Sequence, residues 1–270
     1  MKQLPNIFTL LNLFFGCIAI VLILMNSMVP VSDQNGEVLL VLPEQMYWAS
    51  VFIGIAAIID FLDGLVARML RLSSEMGKQL DSLADVVSFG VAPAMIIYQF
   101  LRLSFAQQEN GLDVSVMWLL PAFVVPCAGA FRLARFNLDK EQSFGFKGVP
   151  IPAAGLLIAS FPLIYWFSNN AYAIRVLLNP WFWYALIVII AYLMICTLPM
   201  MALKFKGLSL KNDSPKFILV ALTIVAGIVF HWLAVPIVFI AYVALSLAMP
   251  DYAKGRTTTY PAKGDLETLP

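Results

Sequence analysis

The stretch Asp60-Phe61-Leu62-Asp63-Gly64-Leu65-Val66-Ala67-Arg68, followed after eight residues by Gly77-Lys78-Gln79-Leu80-Asp81-Ser82-Leu83-Ala84-Asp85, decides how this chain is read. Four carboxylates fall within a short span of an otherwise very apolar sequence. On a helix, Asp60 and Asp63 lie about 60° apart around the axis, and Asp81 and Asp85 about 40° apart. Each pair therefore points one way. The short link from Arg68 to Lys78 lets the two helices pack side by side. Two facing carboxylate pairs make an all-oxygen site for hard divalent cations, Mg²⁺ above all. Gly64, Ala67 and Gly77 keep the neighbouring surface bare, so a bulky group can approach the backbone. The bland alternative is four structural acids that cap loops or satisfy core polar groups. It is unattractive because Asp60 follows Ile58-Ile59 and Asp85 precedes Val86-Val87. An acid within a membrane costs roughly 2.5–3.5 kcal/mol or more, and two divalent cations would neutralise all four.

Working outward, 61% hydrophobic and 12% charged residues place the chain among polytopic membrane proteins, since a soluble domain carries about twice that charge. The expected fold is an all-α membrane helix bundle. Apolar runs predict about eight spans, near 7–29, 46–69, 78–101, 114–136, 150–168, 180–203, 216–232 and 234–250. The last pair is interrupted only by His231-Trp232-Leu233-Ala234-Val235-Pro236, which fits either a hairpin or one kinked helix. Residues 1–250 form the membrane domain in this reading, and 251–270 a flexible cytoplasmic tail. The start reads as a retained span rather than a cleaved signal. Cys17, Cys127 and Cys196 each sit in an apolar run and read as small core hydrophobes, not a disulfide framework. A net charge of +1 carries no signal of nucleic acid, and no such partner is expected.

Loop charges set the orientation. With the amino terminus in the cytoplasm, fifteen of the seventeen Lys and Arg residues lie inside, leaving only Arg102 and Arg175 outside. This is a positive-inside bias, and with an even span number it places both termini in the cytoplasm. The acids then open at the cytoplasmic face of the cell membrane. His231 reads as an interfacial residue at the outer end of a hairpin. Tyr47, Trp48, Trp181, Trp183 and Tyr184 stand at span starts and read as interface belts.

The spacing from Asp60 to Asp85 resembles the signature of the CDP-alcohol phosphotransferase family, with every fixed position filled. These membrane enzymes move a substituted phosphate from a cytidine diphosphate donor to an alcohol. The resemblance implies that Asp60, Asp63 and Asp81 are metal ligands for Mg²⁺ or Mn²⁺, two ions in all. It implies that Asp85 is the general base, with a further contact to the second metal. Arg68 would sit near the pyrophosphate, and Gly64, Ala67 and Gly77 would line the donor's nucleotide pocket with Asp60. Pro5-Asn6-x-x-Thr9 also resembles a stretch of this family, which would bring Asn6 and Thr9 to the nucleotide. A Pro-led helix start with polar capping explains the same residues. A homodimer among membrane lipids is what the family implies.

Later segments resemble the family's phosphatidylserine synthase branch: Ser88-Phe89-Gly90-Val91-Ala92-Pro93-Ala94, Arg132-Leu133-Ala134-Arg135-Phe136-Asn137 and Phe146-Lys147-Gly148-Val149-Pro150-Ile151-Pro152-Ala153-Ala154. CDP-diacylglycerol and L-serine are then the expected substrates. Serine brings a carboxylate, which arginine holds bidentately. Arg135, helped by Arg132 or Lys147, is expected to contact it, with Gly129 letting that face approach the carboxylate helices. For each cation, an ordinary inner-face anchor is the alternative. Glycerol phosphate or inositol phosphate as acceptor, and a divalent-cation transporter, are the competing functions.

Overall fold

The computed structural model describes residues 4–25, 28–32, 38–70, 74–108, 114–138, 146–201 and 214–248. The expected tail, 251–270, lies outside them. The architecture is an all-α membrane bundle. Helices α1 (Leu4–Met25) and α2 (Met46–Leu70) are joined by a small antiparallel hairpin, β1 (Val29–Ser32) with β2 (Val38–Val41), and pack along one another. Next comes a continuous run, Glu75–Ala106. It comprises α3 (Glu75–Asp85), a π-helical turn at Val86–Val91 and α4 (Ala92–Ala106).

Local chemistry explains both breaks around α3. Ser74 caps its first turn, accepting a hydrogen bond from the Gly77 amide at 3.0 Å. The π turn precedes Pro93, which has no N–H to give to the Phe89 carbonyl. A wider turn, with the Ala92 amide bonded back to Val87 O, absorbs that loss without breaking the helix. Gly155 of α6 (Ile151–Phe167) packs there so closely that a Cβ would lie 2.8 Å from Phe89 O.

Two 3₁₀ turns lead into α5 (Val124–Leu138). After α6, a short α7 (Ala171–Leu177) meets α8 (Pro180–Ile195) at 74°. Asn170 and Asn179 cap these two helices through their side-chain oxygens. Chain closure at the end nearest the acids uses a second strand pair, β3 (Phe146–Lys147) with β4 (Pro199–Met200). The bundle ends with α9 (Ser214–Phe230) and α10 (Ala234–Ala248).

Each of the eight expected apolar runs contains a helix, although 180–203 is helical only to Ile195 and then holds β4, and they are not eight equal spans. Five described segments are long and apolar enough to cross a membrane, or six if the bent α7–α8 pair counts as one. Helix α6, with 17 residues, falls short of that length. The final block counts as one segment by length, but its backbone reverses. His231 has φ 50°, and α9 and α10 pack against each other, which two halves of one straight helix cannot do.

Two expectations about packing are corrected. Trp183 is not a belt residue: it is fully buried, stacks on Phe100 with centroids 4.8 Å apart, and donates its indole N–H to Leu177 O. Its position after Pro180 turns it into the corner between α7 and α8, where the freed carbonyl needs a donor. Gly129 does not face the carboxylate helices either; it lies against the Ile151 side chain of α6. The close approach of α5 to the π turn is made by Pro126 against Gly90.

Candidate active site

Three elements meet at the acids. Helix α2 supplies Asp60 and Asp63, and α3 supplies Asp81 and Asp85, as their spacing requires. Carboxylate oxygens of Asp60, Asp81 and Asp85 all lie within 4.8 Å of one another. Asp63 stands beside this triad, within electrostatic reach of Asp60 and Asp81. It is buried and accepts a hydrogen bond from the Thr9 hydroxyl. The pairs thus face each other, with three acids in one cluster and the fourth at its edge.

The third element is α1, whose contribution follows a helical step. Asn6 Oδ1 lies near the bare backbone of Gly77, where a Cβ would come within 3.1 Å of it. Thr9 bonds Asp63. Asn12, fully buried, faces Asp85, and its backbone carbonyl accepts from Ser88 Oγ at 3.0 Å. Gly16 then packs on Ser88 with no room for a side chain. Residues 6, 9, 12 and 16 make one stripe along the helix. Asn6 and Thr9 thus stand beside Gly77 and Asp63, and Asn12 is the member that motif reasoning missed. Its signal was the same three-residue step continued into an apolar run.

Helix α5 closes the fourth side. Arg132 is buried and is the positive charge felt by Asp85, and its Nε has no hydrogen-bond partner. Arg135, one turn on, points elsewhere. Its guanidinium donates to Ile195 O at 2.7 Å and Cys196 O at 3.2 Å, closing the end of α8. Asn137 fastens α5 to α3: its amide donates to Ser82 Oγ at 2.8 Å, and its carbonyl accepts from Lys78 Nζ at 3.2 Å. The side chains of Ala67, Arg68 and Lys147 lie outside the described residues. Gly64 opens onto free space, with nothing within 4 Å of a notional Cβ.

The donor set suits a hard cation. It is all oxygen, the carboxylates are gathered from two helices, and Asp85 Oδ1 is buried without a partner. Like charges this close repel unless a cation or proton intervenes, so Asp60, Asp81 and Asp85 could hold a metal ion.

Comparison with known proteins agrees with this geometry. The model of the family described as CDP-alcohol phosphatidyltransferase matches residues 2–191. A CDP-diacylglycerol–serine O-phosphatidyltransferase of Helicobacter pylori (strain J99) is 36% identical over 57% of this chain and 54% of its own length. The Bacillus subtilis protein of the same name is 38% identical over 42% of this chain and 60% of its own length. An archaetidylserine synthase of Methanothermobacter thermautotrophicus is 34% identical over 53% of this chain and 58% of its own length. The chain thus spans between half and three-fifths of the length of these relatives. With the acid spacing, the facing pairs and a match over most of its residues, the chain belongs to the CDP-alcohol phosphatidyltransferase family.

Proposed function

We propose that this protein is an integral membrane transferase that moves a phosphatidyl group from CDP-diacylglycerol to the hydroxyl of L-serine, giving phosphatidylserine and cytidine monophosphate. The observation that carries the reading is the cluster of Asp60, Asp81 and Asp85 with a buried guanidinium, Arg132, beside it. The names of the relatives supply the acceptor.

Asp60, Asp63, Asp81 and Asp85 would hold Mg²⁺ or Mn²⁺, two ions in this reading. Bound there, the metal masks the negative charge of the donor pyrophosphate and of the departing nucleotide. The chain's own groups do the rest. The open backbone at Gly64 leaves room for the nucleotide, with Gly77, Asn6, Thr9, Ala67 and Arg68 around it. Asp85 takes the proton of the serine hydroxyl, positioned for in-line attack on the phosphorus. Cytidine monophosphate is a good leaving group, so no strong general acid is required. Arg132 pairs with the serine carboxylate, because its buried charge and unpartnered Nε await an anion. Lys147 is a further candidate for that contact, while Arg135 braces the end of α8. The enzyme works as a homodimer in the cell membrane, with the site at the cytoplasmic face and both termini inside.

The test is transfer in detergent with labelled serine and CDP-diacylglycerol, with and without Mg²⁺ or Mn²⁺. Metal-dependent labelled phosphatidylserine is expected. Transfer only to glycerol phosphate or inositol phosphate would replace the acceptor. Cation uptake into vesicles without transfer would replace the enzyme by a transporter.

A further inference from the structure

Asn12 lies in the first half of α1, fully buried among membrane-spanning helices. Neither its amide nitrogen nor its amide oxygen has a hydrogen-bond partner. A buried carboxamide left this way is destabilising, whereas a leucine of similar size carries no unmet polar group. Its placement is tightly fixed. Ser88, three residues past Asp85, bonds the Asn12 carbonyl, and Gly16 admits the close contact with Ser88. The amide faces Asp85 within interacting range, although Asn12 Nδ2, Asn12 Oδ1 and Asp85 Oδ1 make no well-formed hydrogen bond. Arg132 Nε is a further orphan nearby. Three separate elements thus bring polar atoms without well-formed partners to Asp85 and its surroundings.

We propose that Asn12 is a catalytic residue that holds the amino-alcohol end of the acceptor. The inference rests on the serine-acceptor reading and names a part of that pocket. The Asn12 Nδ2–H donates to the serine hydroxyl oxygen, and Asn12 Oδ1 accepts from the serine ammonium. A carboxamide carries a donor and an acceptor side by side, matching an oxygen and a nitrogen on adjacent carbons. The hydroxyl hydrogen is left pointing at Asp85. On attack, the serine O–H bond breaks and its proton passes to Asp85. The oxygen's electron pair forms the new P–O bond. The P–O bond to cytidine monophosphate breaks, and that oxygen leaves with both electrons. Arg132 holds the carboxylate at the other end of the same small molecule.

The experiment uses the full-length enzyme in detergent and compares wild type with Asn12→Leu and Asn12→Ser. Measured are KM for serine, KM for CDP-diacylglycerol, kcat, the Mn²⁺ activation midpoint and the thermal midpoint. Asn12→Leu is expected to raise the serine KM by about tenfold or more and to lower kcat, because a site built to bond a polar group loses it. The CDP-diacylglycerol KM and the Mn²⁺ midpoint stay within about twofold. The thermal midpoint is unchanged or higher, since a buried orphan has been replaced by an apolar group. Asn12→Ser keeps one hydrogen-bonding atom and falls between the two, and it carries the test if the leucine variant fails to fold. With 3-hydroxypropionate, which lacks the ammonium, the Asn12→Leu penalty shrinks. An unchanged serine KM overturns the proposal. A shift in the Mn²⁺ midpoint with serine KM unaltered makes Asn12 a support for Asp85 instead. If wild type itself rejects serine, the acceptor reading has failed, and that control separates the two failures.

Discussion

Replacing Arg135 by lysine, and Arg132 by lysine in parallel, separates an arginine that holds the protein together from one that holds the substrate. Arg135 spends its fork on two backbone carbonyls, Ile195 O and Cys196 O. Hydrogen bonds to a charged donor are worth about 1.5–3 kcal/mol each when shielded. These are only partly shielded, and water can replace part of the loss. Lysine keeps the charge and one donor, so Arg135→Lys should cost roughly 1–2 kcal/mol of stability. Its serine KM should move by less than about threefold. Arg132 is 5% exposed with an unpartnered Nε. Losing a bidentate, buried carboxylate contact is worth about 2–3 kcal/mol. Since about 1.4 kcal/mol is a factor of ten, Arg132→Lys should raise the serine KM by roughly 30- to 150-fold. Initial rates against serine at saturating CDP-diacylglycerol, with thermal unfolding of the same preparations, read out both effects. The assignment fails if Arg135→Lys raises the serine KM tenfold at unchanged stability, or if Arg132→Lys leaves that KM alone.

Asp60→Asn, Asp63→Asn and Asp81→Asn should each abolish transfer at low metal; Mn²⁺ titration checks this, and near-normal activity at low metal removes that residue from the ligand set. Asp85→Asn should bind the donor and fail in the chemical step, so donor affinity and transfer rate are measured separately; lost binding with unchanged turnover at saturation contradicts its role as base. Trp183→Ala should cost about 3–5 kcal/mol of stability while leaving the serine KM of the surviving enzyme unchanged, since the ring stacks on Phe100 and bonds Leu177 O rather than any residue of the acid cluster; a large KM change would tie that corner to the site.

The acids were legible because helical periodicity converts spacing into direction. Asp60/Asp63 and Asp81/Asp85 had to face one way each, and three of them close into a cluster that could hold a metal ion. Arg132 and Arg135 show where that reasoning stops. Both sit on the same end of α5 with the same charge, and only the packed position of α8 decides that one meets carbonyls and the other meets Asp85. Trp183 was misread for a related reason: an aromatic near a span start reads as a belt residue until the 74° bend between α7 and α8 folds it inward. The hairpin at His231 was left open because a non-glycine residue with positive φ has no local sequence mark. Asn12 was passed over because its three-residue step from Asn6 and Thr9 runs into an apolar stretch, where only the packed position of α3 shows what it faces.

The π turn at Val86–Val91 acts as a phase shifter between two periodic surfaces. On its amino-terminal side, α3 is clocked so that Asp81 and Asp85 look toward α2. Beyond it, α4 is clocked so that Phe100 meets Trp183. A uniform α-helix advances about 100° per residue and would carry one setting rigidly into the other. The wider turn decouples them, so chemistry at one end and packing at the other answer to separate constraints. The length of this turn is therefore fixed, as are the close contacts that Ser88 and Gly90 make within it. Losing or gaining one residue there would rotate the acids by about 100° against the rest of the bundle, and no substitution elsewhere could turn them back.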